Sequence, residues 1–131
     1  MKEKDKELIG MWIKSVKDTI EIHEKAEKKE MIYTDYKESK GITCPLCDLT
    51  ANFTEGKFDI FVKEKSNVVI GCQICPWVVF EGDTCMFFVE EEDNRSFDNY
   101  PKSIKRLNNW KNILESKPEA YLVKTNKWRK K

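Results

Sequence analysis

GCQICPWVVFEGDTC, residues 71–85, holds three of the five cysteines of a 131-residue chain. ITCPLCDLT, residues 42–50, holds the other two. The reading of these thiols decides the fold. Cys44 and Cys47 form one Cys-x2-Cys pair, Cys72 and Cys75 a second, and Cys85 stands apart. A Cys-x2-Cys pair curls into a knuckle whose sulfurs, about 3.7 Å apart, reach one ion, and Zn²⁺ accepts four thiolates in a tetrahedron. The expected cofactor is therefore a structural Zn²⁺ held by Cys44, Cys47, Cys72 and Cys75. Four thiolates also suit an iron–sulfur cluster, and spacing alone does not separate the two. Cys85 reads as a small buried side chain, with replacement of Cys72 as ligand the alternative. A redox Cys-Pro-x-Cys site calls for a βαβ setting, which the flanking pattern lacks.

Between and around the knuckles the pattern has period two. KFDIFVK at 57–63 places Phe58, Ile60 and Val62 on one face, and NVVIG, WVVF and CMFFVE are short β-branched or aromatic runs. EGD at 81–83 reads as a hairpin turn. The expectation over residues 41–90 is a small antiparallel zinc ribbon.

Two helices flank it. Over residues 5–30, Leu8, Trp12, Val16 and Ile20 recur every four residues among Glu and Lys, an amphipathic stripe. Pro101 opens a second helix over 101–117, with Ile104, Leu107, Trp110 and Leu114 near helical spacing. Residues 118–131 read as a basic tail. The fold class expected is α+β, a single domain over 1–131, with the zinc ribbon packed between an N-terminal and a C-terminal helix. Only 40% of the residues are apolar and 36% are charged, so the core is thin and the metal supplies folding energy.

The chain shows no apolar run of membrane-spanning length and no leader pattern at its start, so no membrane partner is expected and a reducing cytoplasm is the expected compartment. The net charge of +1 hides a division along the chain. Residues 1–40 balance at ten basic and ten acidic side chains; residues 41–98 hold four basic against eleven acidic; residues 99–131 hold ten basic against two acidic.

The basic third is the second functional signal. Lys105, Arg106, Lys124, Lys127, Arg129, Lys130 and Lys131 accompany Trp110, Tyr121 and Trp128. Cationic side chains neutralise phosphates with counterion release, and aromatic faces stack on unpaired bases. Lys105, Arg106, Lys124, Lys127, Trp128, Arg129, Lys130 and Lys131 are thus the candidate contacts to nucleic acid, or to an acidic protein partner. A closed four-thiolate site has no open coordination position, and His23 is the only histidine, at the edge of the first apolar stripe. Neither supports catalysis, and no small-molecule substrate is expected. EEED at 90–93 reads as a solvated acidic loop.

CPLC, then CQICP, then GDTC, after an N-terminal helix carrying a Trp in IGMWIKSV, resembles a pattern of small phage and prokaryotic zinc-ribbon-like proteins. The matching blocks are discontinuous and cover under half the chain. The insert between the knuckles is longer here, and a Pro-Tyr that often follows the last Cys is missing. No activity comes with the resemblance. It implies a metal site, a phage or mobile-element origin with the host cytoplasm as compartment, and a closer tie of Cys85 to that site. The function expected is that of a non-enzymatic zinc-binding accessory protein, a nucleic-acid-binding regulator acting through its basic C-terminal segment. The alternative is a phage-type module that binds or inhibits a host protein through a surface around Trp77.

Overall fold

A computed structural model of the chain describes residues 2–27, 45–61, 73–81 and 100–129. These residues are helical almost throughout. In chain order they form α1 (Glu3–Glu27), α2 (Pro45–Thr54), α3 (Pro76–Glu81), α4 (Tyr100–Ser116), α5 (Glu119–Lys124) and a 3₁₀ turn (Asn126–Trp128). The expected α+β zinc ribbon is not what they build. Among the described residues there is no sheet, and the only β pairing is one isolated antiparallel bridge between Phe61 and Arg129.

The correction falls on particular segments. WVVF, read as a strand, lies inside α3, and CPLC, read as a hairpin knuckle, runs into α2. Val78 and Val79 favour strand, but Pro76 fixes φ for a first helical turn, and the Cys75 carbonyl accepts the Val79 N–H at 2.9 Å. Helical spacing also carries Trp77 and Glu81 to the same side, where both meet Trp110. Leu46, Leu49, Thr50 and Phe53, all buried, follow the i, i+3, i+4, i+7 pattern of a helix face in α2. Of KFDIFVK, residues 57–61 are turn and bridge, and the rest lies outside the described residues, as do NVVIG and CMFFVE.

α1 is the spine. Its 25 residues span about 37 Å at 1.5 Å each. Leu8, Trp12, Val16 and Ile20 are buried as one stripe. Glu3 and Asp5 lie in the first turn and Lys25 in the last, the arrangement the helix dipole favours. The stripe packs chiefly on α4, which buries Leu107, Trp110 and Leu114, and a second side takes α2. α2 ends in a Schellman closure: the Gly56 N–H meets the Phe53 carbonyl at 3.0 Å and the Lys57 N–H the Asn52 carbonyl at 3.1 Å. Gly56 stands at φ 81°, the left-handed conformation this closure demands.

The C-terminal segment, expected as a tail, folds back onto the body. Tyr121 and Thr125 are fully buried, and the Thr125 hydroxyl donates to the Tyr121 carbonyl at 3.0 Å. Arg129 is held by Asp5 of α1 at 2.7 Å and donates to the Leu122 carbonyl at 2.9 Å. With the Phe61 bridge, these contacts close the two ends of the chain on each other.

Candidate functional site

The aromatic side chains set what the surface can offer. Trp12 is the hub: its ring lies 5.5 Å from Phe53 and 6.1 Å from Tyr121. Trp77 meets Trp110 edge-on at 4.8 Å, and the Trp110 indole N–H donates to the Glu81 carboxylate at 2.9 Å. Trp12, Trp110 and Tyr121 have no exposed surface and Trp77 is 2% exposed. Trp110 and Tyr121, expected as stacking faces, are core residues. Trp77, the expected anchor for a protein partner, is reached only by opening α3. Trp128 is half-buried, with the Lys127 ammonium 4.4 Å from its ring.

The candidate binding residues therefore divide. Arg129 has side-chain exposure of only 13% and is committed to Asp5. Lys124 reaches the Val79 carbonyl at 3.3 Å. Lys130 and Lys131 lie outside the described residues. Lys105 and Arg106 stand exposed on α4, and with Asn108, Asn109 and Asn112 they line a groove of about 660 Å³. The Asn108 amide donates to the Ile104 carbonyl on its own helix at 3.0 Å, whereas Asn109 and Asn112 are exposed. Residues 100–114 contain no acidic side chain, so α4 offers cations and amide donors until Glu115. The asparagines were not among the sequence candidates. Their spacing at 105, 109 and 112 on an apolar-backed helix was the signal that could have found them.

Of the candidate metal ligands, Cys44, Cys72 and the side chain of Cys47 lie outside the described residues, as does Cys85. Among the described residues no group of three or more His, Cys, Asp or Glu side chains comes together. Cys75 is buried, at the start of α3, and the Tyr121 hydroxyl donates to the neighbouring Ile74 carbonyl at 2.6 Å. Burial pushes the Tyr121 phenol well above its ordinary range, so it is a committed donor at neutral pH. Cys75 is thus tied through Tyr121 to the Trp12 level of α1. The opening residue of α2, Pro45, lines a second groove with Ile22 and Lys25, near the far end of α1. Four thiolates on one ion need sulfurs about 3.7 Å apart, so a shared site requires Cys44 and Cys47 to close the span to Cys75.

His23 is buried with no exposed surface, and desolvation lowers its pKa to about 4. It is neutral at pH 7 and cannot touch a substrate. The groove beside it on α1 and α2 holds about 440 Å³ and carries Asp18, Glu21 and Asp48. Asp18 pairs with Lys14 at 3.7 Å and Glu21 with Lys25 at 3.5 Å, both exposed i, i+4 contacts of small worth.

No family model, curated protein or solved structure matches the chain. No helix among the described residues is long and apolar enough to cross a membrane.

Proposed function

We propose that the protein is a non-enzymatic nucleic-acid-binding accessory factor that grips phosphates through the exposed face of α4. The observation that carries this is the acid-free run from 100 to 114, with Lys105 and Arg106 exposed beside a groove of asparagines. Burial of Trp110 and Tyr121 removes the stacking half of the expected interface and leaves the electrostatic half. Binding of this kind weakens steeply with salt, because each neutralised phosphate releases counterions.

A structural Zn²⁺ held by Cys44, Cys47, Cys72 and Cys75 belongs to the same reading. Its support is the chemistry of the donors and the buried, anchored position of Cys75, which suits a thiolate that holds a fold together. When bound, the ion crosslinks chain segments and does no Lewis-acid work. Phage origin and action in a host cytoplasm are proposed on the cysteine pattern alone.

The test is fluorescence anisotropy of the purified chain against labelled duplex across a salt series. The log of affinity should fall linearly with the log of salt concentration. Lys105→Ala with Arg106→Ala should flatten that slope by about 2, one unit per lost phosphate contact. An unchanged slope in the double variant, or no binding at low salt, would remove the reading.

A further inference from the structure

We infer that α4 reads duplex DNA from the major groove, with Arg106, Asn109 and Asn112 directed at base edges and Lys105 at a phosphate. This inference rests on the nucleic-acid reading above and narrows it to one form of nucleic acid. The opposite face of α4 is fixed in the core by Leu107, Trp110 and Leu114, so the helix is a rigid mount. Its outward stripe carries Lys105, Asn109 and Asn112 at i, i+4 and i+7, with Arg106 adjacent. Seven residues of helix cover about 10 Å. That equals about three base-pair steps of 3.4 Å.

The side-chain chemistry matches direct readout. Arginine donates two hydrogen bonds to guanine O6 and N7, and asparagine pairs with adenine N6 and N7, both in the major groove. That groove is about 12 Å wide and admits a helix about 10–12 Å across. The alternatives fit less well. Single strands are gripped by stacking, and Trp77, Trp110 and Tyr121 are withdrawn into the core. The major groove of A-form RNA is too narrow and deep for side chains to read. The positive charge of Lys105 and Arg106 complements the phosphates that flank a DNA groove, and no acidic side chain between 100 and 114 opposes it.

The experiment uses the full chain with one short sequence prepared as duplex DNA, duplex RNA and single-stranded DNA at one salt concentration. A selection from randomised duplex DNA follows, with the wild type, Asn109→Ala and Asn112→Ala. Duplex DNA should bind about tenfold or more tightly than either other form, and selection should enrich a motif of about three base pairs. Each asparagine variant should lose about 5- to 150-fold of the preference for that motif over scrambled duplex. Equal affinity for duplex RNA, tighter binding of the single strand, or an unenriched pool would overturn the inference while leaving phosphate binding intact. Failure to bind all three probes would take the nucleic-acid reading down with it.

Discussion

The Tyr121 hydroxyl donates a 2.6 Å hydrogen bond to the Ile74 carbonyl, across 47 residues of sequence and inside the core. It joins α5 to the second cysteine pair at the residue just before Cys75. Tyr121→Phe keeps the ring against Trp12 and Phe80 but leaves the carbonyl without this donor. The expected loss is about 1–3 kcal/mol of folding stability. Urea denaturation measures it, and an unchanged midpoint would mean that water replaces the hydroxyl at no cost.

The clasp between Arg129 and Asp5 should be a structural contact, not a spare binding group. Both side chains are mostly buried, at 13% and 18% exposure. Asp5→Ala strands a buried guanidinium and should cost about 1–3 kcal/mol, more than an exposed pair returns. Lys14→Ala, which removes an exposed partner of Asp18, should change stability by less than about 0.5 kcal/mol. Equal effects from the two variants would argue that the C-terminal segment is not docked.

His23 should make the fold acid-sensitive. Its pKa falls from 6.5 in the unfolded chain to about 4 in the folded one, so the unfolded state takes up a proton first. Stability is full above about pH 6.5 and is lost as pH falls toward 4, by about 2 kcal/mol at pH 5. Denaturation midpoints at pH 7 and pH 5 check this, with His23→Leu expected to remove most of the slope. A slope that persists in full in His23→Leu would assign it to other groups.

Trp77 and Trp110 should behave as one unit. Either Trp→Ala change opens a cavity and should cost about 3–5 kcal/mol. The double variant should cost less than the two added, because the 4.8 Å edge-on contact is lost only once. Circular dichroism during thermal melting reads all three. Strict additivity would deny the contact.

Metal content separates the cysteines. Mass spectrometry of protein purified without added metal should find one zinc per chain, lost on Cys→Ser at 44, 47, 72 or 75 and kept in Cys85→Ser. Retention of metal in the Cys44 and Cys47 variants would mean that the two pairs do not share an ion. Loss with Cys85 but not Cys72 would replace one ligand with the other.

What was legible in the chain depended on which signal was strongest locally. The 3.6-residue stripes through Trp12 and Trp110 announce α1 and α4, because burial of a long helix leaves a periodic trace. α2 and α3 were misread because each follows a Cys-x2-Cys pair and carries short apolar runs that suit a strand equally well. The discriminating signal was proline. Pro45 and Pro76 each open a helix, Pro101 lies in the first turn of α4 and Pro118 caps α5, so all four prolines of the chain mark helix starts. At the candidate interface the cations were visible, since Lys105 and Arg106 are exposed charges in a basic third. The fate of the aromatics was not, because a tryptophan beside lysines looks the same in sequence whether it stacks on a base or fills a core. Long-range contacts decided that question, through the burial of Trp110 against Trp77 and of Tyr121 beneath Ile74.

The most direct measurement of the central claim is an amide chemical-shift map of the full chain titrated with short duplex DNA at low salt. Perturbations should concentrate on α4 from Lys105 to Asn112, with the Trp110 indole inside the fold shifting little. A footprint centred on residues 124–131, or on α1, with α4 silent, would contradict the account.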